Sequence, residues 1–75
     1  MQYNAIIDLT HEKSPIPMIR TKELLDLLSS GDVLKVTVSM ESAVKNIKTL
    51  ISNNPYDLLK ISQHQNRYEL IIKKL

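Results

Sequence analysis

Cysteine is absent from the chain, and its absence excludes disulfides, thiolate metal sites and thiol nucleophiles together. Glycine occurs once, as Gly31, so no glycine-rich loop exists to cradle a phosphate. The three tyrosines fall into no stacking motif of the kind that reads single-stranded RNA. No apolar run approaches the roughly 18 residues of a membrane span, and MQYNAIIDLT lacks the basic and long apolar regions of a signal peptide. The expectation is a soluble, cytoplasmic protein with no membrane attachment. The two histidines, His11 and His64, have no partner at a spacing such as His-x-x-x-His, so both read as solvated loop residues. Neither a metal nor a cofactor is expected.

What is present is enough for one small core. With 75 residues, 43% of them hydrophobic, the chain reads as a single domain over 1–75. A chain of this size buries only roughly 60% of the surface it exposes when unfolded, which favours two packed layers over a deep cofactor cleft. Regular apolar spacing, a single glycine and 24% charged residues argue against disorder and low complexity. The net charge of +2 is too mild to point to nucleic acid or acidic lipid. A monomer is expected.

Tyr3 to Leu9 reads as a half-buried strand, with Tyr3, Ala5 and Ile7 on one face and Asn4, Ile6 and Asp8 on the other. Ser14-Pro15-Ile16-Pro17 continues neither ladder nor helix, so a helix is predicted to begin near Pro17. Its apolar residues Ile19, Leu24, Leu27 and Leu28 recur near helical period, and Gly31 suits the left-handed position after the helix end. Asp32 to Ser39 alternates as a strand with Leu34, Val36 and Val38 inward. Ser39 to Ser42 offers N-caps for a second helix, whose stripe is Ala43, Val44, Ile47, Leu50 and Ile51. Asn53-Asn54-Pro55 ends it. Tyr56 to Ser62, a turn at Gln63 to Asn66, and Arg67 to Lys73 form an antiparallel hairpin. The predicted class is α+β: a two-layer sandwich, β-α-β-α-β-β, with a four-stranded mixed sheet and two helices on one face.

Asp8 six positions before Ser14-Pro15-Ile16-Pro17, a following amphipathic helix, and Ser30-Gly31-Asp32-Val33-Leu34 opening the second strand resemble the TusA/SirA family of small sulfur-carrier proteins. The resemblance spans nearly the whole chain. The family pattern is an Asp, a loop with a Gly, Cys-Pro-x-Pro at the first helix, and Gly-Glu/Asp-x-Leu at the second strand. Asp8, Pro15, Pro17, Gly31 and Leu34 match it. Ser14 replaces the cysteine, His11 the loop glycine, and Ser39 an Asp that commonly follows the second strand.

The resemblance implies a protein of persulfide relay, in several cases towards tRNA thiolation, with sulfane sulfur carried on the motif cysteine. A thiol at a helix N-terminus is held as thiolate by unpaired N–H groups and the helix dipole. Serine has no persulfide state, and its hydroxyl ionises weakly without a strong base beside it. Three readings of Ser14 compete: a structural N-cap, worth about 0.5 to 2 kcal/mol against Ala; a Cys-to-Ser variant of an active sulfur carrier; and the nucleophile of an Asp8-His11-Ser14 triad. The last lacks a Gly-x-Ser-x-Gly elbow and an evident oxyanion donor.

The preferred reading is a non-catalytic binding or regulatory member with a protein partner, a component of a sulfur relay. Its candidate binding residues are Asp8, His11, Ser14, Pro15 and Pro17, and Thr10 to Pro17 with Ser39 to Glu41 form the expected partner end. Met18 and Met40 are read as gap-filling near it. Arg20, Lys22, Lys45 and Lys48 read as a solvated basic surface. The two-layer arrangement also resembles the C-terminal domain of a translation initiation factor, which keeps tRNA contact as a lesser reading.

Overall fold

The computed structural model describes residues 2–75. Its elements are β1 (Ala5–Asp8), α1 (Ile16–Leu27), β2 (Val33–Val38), α2 (Glu41–Ser52), β3 (Tyr56–His64) and β4 (Arg67–Lys74). The strands form one sheet in the order β1-β2-β4-β3, with β1 parallel to β2 and the other neighbours antiparallel. The expected mixed sheet with two helices is therefore present. Alternation along β2 sends Leu34, Val36 and Val38 into the core, where Leu70 and Ile72 of β4 join them. Ala43, Val44, Ile47 and Leu50 of α2 pack on that layer, which is the stripe expected from the 3.6-residue period.

α1 departs from its expected stripe. Its buried residues are Pro17, Thr21 and Leu25, one turn apart along a single face, with Met18, Leu24 and Leu28 packed partly against the core. Leu27 is 81% exposed and Ile19 42% exposed. Apolar residues surround this helix on all sides, so hydrophobicity does not select a face; packing against the sheet does. Thr21 is accommodated because its hydroxyl donates to the Pro17 carbonyl at 2.7 Å, leaving no unpaired polar atom inside.

The helix ends also differ from expectation. α1 stops at Leu27 with Leu28 as an extended C-cap, and the Lys74 ammonium of β4 donates to the Leu28 carbonyl at 2.7 Å. That contact places a cation at the negative end of the helix. Gly31 lies beyond, in a turn where Asp32 N–H donates to Ser29 C=O, and its φ of 92° is what requires glycine there. α2 begins after Met40 with no side-chain cap, because the Ser39 hydroxyl is turned to the Thr10 carbonyl instead.

β3 runs to His64, so the turn is Gln65 and Asn66 alone and His64 is a strand residue. A bulge between Leu58 and Lys60 inserts Leu59 and resets the alternation. Leu58 and Ile61, three positions apart, thereby pair with Ile72 and Leu70 and share the helix-facing side. Among the described residues, the opposite face of the sheet carries no helix. There the register sets Ile6, Lys35, Ile71 and Lys60 side by side across the strands.

Candidate functional site

β1 ends at Asp8, and the chain crosses to α1 through Leu9 to Pro15. Leu9 is buried and its N–H donates to the Thr37 carbonyl at 2.8 Å, which anchors the start of the crossing on β2. Asp8 closes the next step: its Oδ1 accepts from Thr10 N–H at 2.9 Å and from the Thr10 hydroxyl at 2.7 Å. This is an Asx turn, and it holds the carboxyl below its ordinary range, the Thr10 backbone N–H contributing most. Arg67 and His11 add smaller electrostatic contributions of the same sign.

Ser14 precedes Pro15, which is the N-cap residue, and the Ser14–Pro15 peptide is cis. Pro17 is buried at the second helical position, where its missing N–H leaves no helical bond unmade. No side chain caps α1. The Ser14 hydroxyl instead donates to the Ser42 hydroxyl of α2 at 3.2 Å, so the expected capping role is not the one it plays. The crossing is tied to the loop after β2 a second time by the Ser39 hydroxyl on the Thr10 carbonyl at 2.7 Å. Thr10 to Pro17 and Ser39 to Ser42 thus meet at one end of the molecule.

Asp8, His11 and Ser14 do not form a triad. Among the described residues, the hydrogen bonds of Asp8 come from Thr10, that of Ser14 goes to Ser42, and none joins either to His11. A serine whose hydroxyl points at a second hydroxyl has no base to take its proton. No three His, Asp or Glu side chains among the described residues converge in a metal-binding group. Two large apolar side chains at this end are half-exposed: Ile16 at 39% and Met40 at 43%. Met18 is turned partly inward, between α1 and α2. Ser42, the partner of Ser14, was hidden in the sequence, because nothing local signals that a residue 28 positions away completes the contact.

Two helices on one face of a four-stranded mixed sheet place the chain in a class of small SirA-like α+β domains. The chain belongs to the sulfurtransferase TusA family, whose family model matches residues 5–74. It is 32% identical over 68 residues to a putative sulfur carrier protein of Methanocaldococcus jannaschii, covering 91% of each chain. It is 26% identical to the sulfur carrier protein TusA of Allochromatium vinosum, covering 91% of this chain and 90% of that one. A SirA-like protein from Desulfitobacterium hafniense superposes with a TM-score of 0.83 at 25% identity, over 92% of this chain and 95% of that chain. No helix among the described residues is long and apolar enough to cross a membrane.

Proposed function

We propose that this chain is a TusA-family member that binds a protein partner of a sulfur relay without itself carrying sulfur. The observation that supports this most directly is Ser14. By the resemblance of Ser14-Pro15-Ile16-Pro17 to the family's Cys-Pro-x-Pro it stands where that pattern has cysteine, and its hydroxyl faces the Ser42 hydroxyl, with no base bonded to it among the described residues. A persulfide needs a thiolate to accept sulfane sulfur, and an oxygen nucleophile offers neither the sulfur atom nor the low pKa. The frame around the position is kept: the Asp8 turn, Pro15 and Pro17 hold the entry to α1. The junction of Thr10 to Pro17 with Ser39 to Glu41 is the partner end, and the exposed Ile16 and Met40 offer it an apolar, adaptable contact.

Intact-mass measurement after incubation with a cysteine desulfurase and free cysteine tests the first part. The expected result is no adduct on this chain and a gain of one sulfur atom on Ser14→Cys. A sulfur adduct on the unaltered chain would overturn the proposal. The competing reading, an active carrier seen with its cysteine replaced, is decided by the encoding gene: a cysteine codon at position 14 would replace the reading given above.

A further inference from the structure

Among the described residues β3 ends the sheet, with only β4 beside it, so one side of its backbone has no strand to bond. Proteins blunt such edges with bulges, lysines or prolines. Here the bulge is confined to the first half, between Leu58 and Lys60, while Ile61, Ser62, Gln63 and His64 pair regularly with Leu70, Glu69, Tyr68 and Arg67. His64 and Arg67 flank a two-residue turn and are its closing hydrogen-bonded pair. Antiparallel alternation then assigns the outward-pointing N–H and C=O groups to Ile61 and Gln63.

Those same two residues line a groove of about 380 Å³ between β3 and α2. Val44, Ile61 and Tyr68 give it apolar walls, and Lys45 and Lys48 stand on its helix side, one turn apart. Ile61 is 40% exposed despite lying on the helix-facing side of the sheet. Neither lysine joins an ion pair among the described residues, where the pairs are Arg20–Glu23, Lys22–Asp26 and Lys35–Glu69. Among the described residues Glu41 is the one acid lining the groove, so two cations face a single anion.

The geometry points to β3 accepting an extended acidic peptide of a partner protein as a fifth strand. Ile61 and Gln63 bond its backbone, its apolar side chains pack on Ile61 and Tyr68, and its carboxylates meet Lys45 and Lys48. Main-chain bonds then give affinity and the groove gives selectivity. Free amides at strand spacing fit a peptide rather than a nucleic acid. A second copy of this chain is disfavoured, since pairing β3 with β3 would bring Lys45, Lys48 and Lys60 towards their own counterparts. The site does not rest on the reading of Ser14.

Titration of the isotope-labelled full chain with a capped peptide in which Val and Glu take turns at every second position with Thr between them, so that both face the groove, and with a matched peptide carrying Lys in place of Glu, tests this by amide chemical shifts. Shifts at Ile61 to His64 and at Lys45 and Lys48 are expected with the acidic peptide, and binding weaker by about tenfold or more with the basic one. The Lys45→Glu/Lys48→Glu variant should reverse that preference. Gln63→Pro removes one outward N–H, a change tolerated at a sheet edge, and should abolish binding while other amides keep their shifts. No response to the acidic peptide, equal binding of both peptides, shifts confined to Thr10 to Pro17, or undiminished binding by Gln63→Pro would each overturn it. So would a response of these residues to single-stranded RNA with none to either peptide.

Discussion

Asp8 shows how one side chain fixes the entrance to the candidate site. Its carboxylate takes two bonds from Thr10, and these hold the anion because a protonated carboxyl accepts them less well. The folded pKa lies below the unfolded value. Its contribution to stability is therefore complete above the unfolded value and is lost as pH falls through the folded one. Titration of the Asp8 carboxyl by NMR should show a midpoint below the ordinary 3.8. Thr10→Val, which removes the hydroxyl but keeps the N–H, should move that midpoint part of the way back. An unchanged midpoint would mean that the hydroxyl bond adds nothing. Asp8 was singled out in the sequence by its match to the family pattern, but the turn it makes with Thr10 was not. The Ser14 contact was not legible there either, because its partner Ser42 comes from another element, and the sequence suggested a cap that the hydroxyl does not make.

Among the elements, strands and α2 followed their sequence patterns closely, and the differences lie at ends and turns and in the face that α1 buries. The β3–β4 hairpin closes through Gln65 at φ 55°, a conformation in which a side chain costs about 1 to 2 kcal/mol. Glycine removes that cost but gives back about 0.5 to 1 kcal/mol of unfolded-chain entropy. Gln65→Gly should therefore stabilise the fold by up to about 1.5 kcal/mol, measured as a rise in the denaturant midpoint at constant slope. A lowered midpoint would show that Gln65 makes a compensating contact. The turn was placed too broadly in the sequence because Gln63 and His64 are neutral in turn preference, and only pairing with β4 makes them strand. The end of α1 was misread for a related reason: Gly31 is a strong local signal, but Lys74, 46 positions from Leu28, supplies the contact at the helix end.

On the scale of the molecule, α1 illustrates what packing adds. Leu24, Leu25, Leu27 and Leu28 are chemically alike, yet Leu25 is fully buried and Leu27 is 81% exposed. Leu25→Ala should cost about 2 to 5 kcal/mol by loss of transfer energy and creation of a cavity. Leu27→Ala should stay within about 0.5 kcal/mol. Equilibrium unfolding of the two variants checks the contrast, and similar losses for both would show that Leu27 is covered in solution. The same layer geometry leaves Ile61 40% exposed beside an open groove.

The sequence by itself determined the class of fold, the order of elements and the missing thiol. Periodicity, prolines and the identity of residue 14 are local properties that no packing can change. The tertiary structure alone decided which face of α1 is inward, that Ser14 meets Ser42, and that β3 lies at an edge beside Lys45 and Lys48. Each of these depends on residues distant in the chain, and the chemistry of a residue does not record which distant neighbour folding will bring to it.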